Sequence, residues 1–264
     1  MGDIATYLAN ELLDHVLGEA GETWTAPSNR FLCLCKSAPS ASALNEPSGG
    51  SYARVACDDW NTASARATSN SATLSYAQAT ADWGVITHFA IVDASTIGSG
   101  NHLAYGELTA AKTVTSGTTV SVVPGDLDIS LDAGGVSTYL ANAMLDLALS
   151  GTTLTQPTSL YLALATTAPT DTDDGSSITE PSGGGYARLE HNDFSAASGG
   201  SVSNGSTASF AAATANWGTC GWIAVCDHAT TGNVLYHKAL DNAAVIESGD
   251  TARFIGGALT ITME

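Results

Sequence analysis

Charge is scarce in this chain, and positive charge is scarcer still. Lys and Arg number 8 against 26 Asp and Glu, for a net charge of -18 and a pI near 4.3. A sequence-independent grip on nucleic acid or an anionic membrane needs a basic patch. Neither nucleic acid nor membrane is therefore expected as a partner. No apolar run approaches the roughly 20 residues that span a bilayer. The opening segment MGDIATYLANELLD lacks the basic start and apolar stretch of a signal peptide. A soluble protein made in a cytoplasm is expected. Five cysteines cannot pair completely within one chain, so reduced thiols fit that compartment. Also missing are the GxSxG elbow, the GxxxxGK[ST] phosphate loop, the GxGxxG fingerprint before a helix and HExxH. The Gly-Gly segments that do occur precede strands, so they lack the helix N-terminus of a phosphate cradle. An enzyme is not expected, for want of a convergent nucleophile, base or metal set. Low charge beside 44% hydrophobic residues still specifies a folded chain.

What the chain does have is an internal duplication. Thr6-Tyr7-Leu8-Ala9-Asn10 returns as Thr138-Tyr139-Leu140-Ala141-Asn142, and Leu13-Asp14 returns as Leu145-Asp146. Glu46-Pro47-Ser48-Gly49-Gly50-Ser51-Tyr52-Ala53-Arg54 returns as Glu180-Pro181-Ser182-Gly183-Gly184-Gly185-Tyr186-Ala187-Arg188. Ala79-Thr80-Ala81-Asp82-Trp83-Gly84 pairs with Ala213-Thr214-Ala215-Asn216-Trp217-Gly218, and Asp93 and Asn101 with Asp227 and Asn233. The order never breaks, so the domains expected are 1–132 and 133–264, meeting at the short polar junction Asp132-Ala133-Gly134-Gly135. Each half carries a net charge of -9, so the acidity belongs to the repeated module.

Within each copy one amphipathic helix opens the domain. Ile4, Leu8, Leu12 and Val16 recur at helical spacing, with Asp3 as N-cap and Gly18 as stop; Val136, Leu140, Met144, Leu147 and Ala148 repeat the pattern. Short apolar stretches such as Phe31–Cys35, Leu160–Leu164, Phe89–Val92 and Thr119–Val123 follow, punctuated by Gly, Pro, Ser and Asn. The fold class expected is mainly β: two tandem β-sandwich, jelly-roll-like domains, each with its own core. The Pro-Ser-Gly-Gly turns should feed strands beginning at Tyr52 and Tyr186.

Candidate site residues follow from the repeated strings. Arg54 and Arg188 should fork onto a carboxylate or carbonyls and pin the Gly-rich turn beside Tyr52 and Tyr186. Trp83 and Trp217 are core corners or, on a second reading, the stacking platform of a carbohydrate-binding module. Asp171, Asp173 and Asp174 precede a glycine in a loop that the first copy lacks, and are the one candidate Ca²⁺ site; no other cofactor is expected. Cys33 and Cys35 share a strand face as packed thiols, whereas a Cys220–Cys226 disulfide would require the strand to fold back.

Taken in series, Tyr-Leu-Ala-Asn, Ser-Gly-Gly-(Gly/Ser)-Tyr-Ala-Arg, Ala-Thr-Ala-(Asp/Asn)-Trp-Gly and the Asp/Asn pair resemble a family of virion structural proteins of tailed bacteriophages. That resemblance covers nearly all of both copies. It implies a small β-sandwich without catalytic residues, located in the virion and made in the host bacterial cytoplasm. A capsid decoration or cement protein is the first reading, and a tail, tail-fibre or baseplate component the second. The partners implied are the major capsid protein or other virion proteins. A homo-oligomer is expected, either a trimer presenting a pseudo-hexamer or a dimer.

Overall fold

The computed structural model of the protein describes residues 2–18, 23–40, 43–131 and 135–263. Most of the expected junction, residues 132–134, lies outside the described residues. The chain is mainly β, with 36% of residues in strands and 10% in helix. In the first repeat, β1 (Gly2–Ile4) leads into α1 (Thr6–Leu17). Then come β2 (Phe31–Cys35), β3 (Val55–Ala56), β4 (Ala67–Ser69), β5 (Leu74–Ser75), β6 (Gly84–Val92), β7 (His102–Val114), β8 (Ser121–Val122) and β9 (Asp128–Ser130). The second repeat opens with α2 (Thr138–Leu145), whose last turn widens into a π turn over Asp146–Ser150. It continues through β10 (Tyr161–Ala165), β11 (Leu189–Glu190), β12 (Ser201–Ser203), β13 (Ala208–Ser209), β14 (Gly218–Cys226), β15 (Val234–Ile246), β16 (Arg253–Phe254) and β17 (Thr260–Thr262).

The first repeat builds a seven-stranded sheet in the order β3-β2-β6-β7-β1-β9-β4. Among the described residues of the second repeat, the corresponding strands form a four-stranded sheet, β11-β10-β14-β15, and a β12-β17 pair. The two repeats differ at one position of this sheet. β1 joins β7 to β9 because Gly2 lies opposite Gly106, where a Cβ on Gly106 would stand 2.7 Å from the Gly2 backbone. The second repeat has Lys238 at the corresponding place, and its Nζ crosses to the Thr260 carbonyl of β17 at 3.4 Å. Among the described residues, the isolated bridge Val136–Tyr236 stands where β1 pairs with β7 in the first repeat.

Both helices form where the apolar spacing predicts, but they begin differently. Asp3 is a strand residue rather than the N-cap, because β1 claims it and its carboxylate turns to the Ile4 amide at 2.9 Å. The α1 N-cap is Ala5, without a side-chain bond, whereas Ser137 Oγ accepts the Leu140 amide at 3.1 Å and caps α2. Gly18 follows α1 as its stop. Tyr52 and Tyr186 likewise precede their strands, which begin at Val55 and Leu189, because the Gly-rich turns extend through the tyrosines.

The expected separate cores are joined into one main core, beside which each repeat keeps a small cluster of its own, around Cys33 and Ala90 in the first and around Ala163 and Ala224 in the second. A single cluster of buried side chains runs from Leu8, Leu12 and Val16 through Leu103 and Ile129 to Leu140, Met144, Leu162 and Ile261. Each fully buried leucine contributes about 1.5–3 kcal/mol relative to exposure. That stabilisation is shared because each helix packs on both repeats: α1 lies against β7 and β12, and α2 against β15 and β4.

Candidate functional site

The repeated strings converge on the same buried knot in each copy. Gly49 and Gly50, at φ +72° and +60°, turn the chain so that Tyr52 enters the core. Its hydroxyl donates to Glu46 Oε2 at 3.1 Å and accepts the Leu34 amide at 3.0 Å. Arg54 Nη2 meets the same carboxylate at 2.6 Å, and its Nη1 donates to the carbonyls of Ala94 and Ser99 at 2.7 and 2.9 Å. Those carbonyls belong to the β6–β7 loop, which Asn101 closes by donating its amide to Asp93 at 2.6 Å. Trp83 donates its indole N–H to the Gly50 carbonyl at 2.8 Å and stands edge-on to Tyr52, ring centroids 5.2 Å apart. Burial, with Glu46 alongside, pushes the Tyr52 hydroxyl pKa well above its ordinary value.

The second copy repeats the knot with Glu180, Tyr186, Arg188 and Trp217. Arg188 Nη2 lies 2.8 Å from Glu180, Nη1 donates to His228 and Thr231 carbonyls, and Trp217 donates to the Gly184 carbonyl at 2.8 Å. The arginine forks as its repeated position suggested. Glu46 and Glu180, the acids within the repeated Glu-Pro-Ser-Gly-Gly block, are the partners that sequence reasoning did not name. Both tryptophans are 4% exposed, so neither offers a face to a sugar and the stacking reading of these two residues falls.

The acidic loop does not gather around a cation. Asp171 turns to Arg66 of the first repeat at 2.5 Å and to His237 Nε2 at 3.0 Å. Asp173 accepts from the Thr170 amide and hydroxyl and from Ser177, which lowers its pKa. Asp174 accepts the Ser176 and Ser177 amides. Among the described residues no three acidic, imidazole or thiol groups are placed to hold a metal ion. The three aspartates therefore do not form the single Ca²⁺ cluster that their spacing suggested. Asp171 is instead part of the joint between repeats. All five cysteines are buried free thiols, with Cys33 and Cys35 packed on Ala90 and Val92; Cys220 and Cys226 lie along one extended strand and are unbonded.

The other repeated string does its work across the copies. Asp14 Oδ1 accepts the Ala197 amide at 2.7 Å, and Asn10 Oδ1 accepts that of Gly200 at 2.8 Å. Reciprocally, Asp146 Oδ1 accepts the Ala63 amide at 2.7 Å, and Asn142 Oδ1 that of Arg66 at 2.8 Å. Each helix thus presents an Asn and an Asp, four residues and one turn apart, to a tight hairpin of the other repeat. Sequence comparison marked these four residues as duplicated without showing that they reach between copies.

The chain is thus two copies of one β module, each wired by a buried Tyr-Glu-Arg-Trp knot and clamped to the other through its helix. The family model described as Podophage GP4 fiber I protein gp80 matches residues 3–130 and again 135–262. The chain belongs to that family, a family of phage virion structural proteins, as a tandem duplication. No curated protein matches the sequence.

Proposed function

We propose that this protein is a non-enzymatic component of a phage tail fibre, assembled from copies made in the host cytoplasm. The observation that carries this reading is the match of a fibre-protein family to both repeats. The wiring supports it. Every repeated polar residue of the knots is engaged in holding loops together, which suits a load-bearing part better than a reaction centre. The first reading from sequence, a capsid decoration protein, shares the acidic module and differs in where the protein sits on the particle. In either place its partners are other virion proteins and further copies of itself.

Immunogold labelling of purified particles against this chain, viewed by electron microscopy, tests the location. Label on the tail or its appendages is the expected result. Label spread over the head would overturn the fibre reading in favour of decoration. Analytical ultracentrifugation of the purified chain tests self-association, and a strict monomer at all concentrations counts against a homo-oligomeric fibre component.

A further inference from the structure

The two repeats open to solvent at the same place. In the second, a cavity of about 490 Å³ lies between a bulge of β15 and the strand β16; in the first, one of about 200 Å³ lies between the equivalent bulge of β7 and β8. Each bulge forms where the register slips. Ile86 pairs with Lys112 but His88 with Glu107, and Cys220 pairs with Ala244 but Trp222 with Ala239. Leu108 and Val122 line the first mouth, Leu240 and Phe254 the second, and all four are only half-buried. One residue past each inner strand stands an exposed apolar side chain, Val123 at 47% and Ile255 at 62%. Alternation along the strand puts Ile255 on the same side as Arg253.

The shape is shared, but the charge is not. Glu107, Asp126 and Asp128 line the first mouth, which has no basic residue. At the corresponding positions the second repeat has Ala239, Ala258 and Thr260. Its mouth instead gains Lys238 and Arg253, where the first repeat has Gly106 and Ser121, beside Asp241 and Asp250. Asp250 is partly engaged, since it accepts the Glu247 amide at 2.9 Å. The second repeat has three bases in all; Arg188 is buried in its knot, and the other two both line this mouth. Glu107, Asp126, Asp128 and Arg253 are exposed, and among the described residues their side chains make no hydrogen bond or ion pair. One chain thus carries two similar apolar hollows, one rimmed by unpaired acid and the other by base. An apolar centre supplies adhesion and a charged rim supplies register.

We propose that the acidic mouth of the first repeat in one copy of this chain docks on the basic mouth of the second repeat in another copy, with Glu107, Asp126 and Asp128 facing Lys238 and Arg253. This rests on the reading of the protein as a virion component present in many copies, and it names the joint between them. Two first mouths would set three acids against three acids, so unlike mouths are the favoured pair. A copy engaged through one mouth still offers the other, and copies can add in series. The net charge of -18 opposes approach from a distance, but at about 0.15 M salt it is screened beyond about 8 Å, which leaves the contact charges to decide.

Sedimentation velocity of the full chain at about 0.15 M salt and up to about 0.5 mM protein tests this. The wild type should form species larger than the 26.7 kDa monomer. A first variant, Glu107→Lys with Asp126→Lys, should weaken association at least about tenfold, and so should a second, Arg253→Glu. All three residues are exposed, so both variants should keep the native circular dichroism spectrum. Should a reversal fail to fold, the neutral changes Asp126→Asn and Arg253→Gln replace it and should each weaken association severalfold. Each variant keeps the mouth that the other lacks, so mixing the two should give a one-to-one pair that grows no further. Association unchanged in both variants, association lost in only one of them, or no pair on mixing would overturn the joint while leaving a homo-oligomer standing. A wild type that stays monomeric would overturn the joint and the homo-oligomer together.

Discussion

Asp14 of the first repeat accepts the backbone amide of Ala197 in the second at 2.7 Å, and Asp146 of the second accepts that of Ala63 in the first at the same distance. The two bonds are related by a pseudo-twofold exchange, and they show that the helix opening each repeat serves to close the other.

Replacing Asp14 or Asp146 with Ala strands a part-buried amide and should cost about 1–3 kcal/mol each in urea unfolding. Asp14→Asn keeps an acceptor oxygen and should cost much less. The two sites share no partner, so the double alanine variant should be close to additive. A loss below about 0.3 kcal/mol for both single alanine variants would show that these bonds are incidental to docking.

The second repeat made alone, residues 135–263, keeps Asn142 and Asp146 but loses their targets, Ala63 and Arg66. Its own hairpin offers the equivalent amides of Ala197 and Gly200 to another copy. The fragment should therefore form a symmetric dimer that restores the exchange, measurable by light scattering after size exclusion. A folded monomer with native circular dichroism would refute this.

How much of this could be seen in the residues alone differs from feature to feature. The duplication, the helices and the fork of Arg54 were legible, because each rests on a string of residue types whose chemistry is local. The shared core was not. Periodicity shows that Leu8 and Leu12 face inward, but a chain of two similar halves offers two equivalent surfaces for that face, and nothing in the spacing chooses between them. The signal available was the polar pair Asn10 and Asp14 recurring with the apolar stripe, since duplicated polar residues on a short helix require a partner. Asp171 misled for a related reason: acids before a glycine look like cation ligands until a distant arginine is known to stand beside one of them.

The two knots should differ in sensitivity. The Glu46 side chain is 2% exposed and that of Glu180 is 19% exposed, while both arginine side chains are buried. Glu46→Ala leaves an enclosed guanidinium uncompensated and should cost about 3–5 kcal/mol, whereas Glu180→Ala admits water and should cost less. Thermal unfolding of the pair checks the order, and equal losses would contradict it.

The hairpins facing the helices carry a built-in comparison. Ala65 and Arg66 sit at φ +51° and +68°, where the second repeat has Gly199 and Gly200. Ala65→Gly should stabilise the chain by up to about 1 kcal/mol, and Gly199→Ala, which meets nothing within 4 Å, should destabilise it by a similar amount. Opposite signs in paired melting experiments are the expected result.

Alkali should weaken the protein before it reaches the native thiols. Burial pushes Cys35 and Cys226 up to about 12 from an ordinary 9.0, and raises Cys33 and Cys57 as well. The native state favours the protonated thiols, so their contribution is complete below pH 9. It is lost between pH 9 and 12, as the unfolded chain ionises first. Denaturation midpoints should fall steadily from pH 8.5 to 10.5, and native protein should resist a thiol reagent at pH 8. A flat profile, or rapid labelling of all five cysteines, would count against it.

The exchanged helices also set a timetable for synthesis. When Leu131 leaves the ribosome, the first repeat is complete in sequence, yet the hairpin that receives Asn10 and Asp14 has not been made. At about 5–20 residues per second, Ala197 follows only after roughly 3–13 s, during which one side of α1 has no surface to cover it. The first half can complete its packing only when the second half supplies the missing wall.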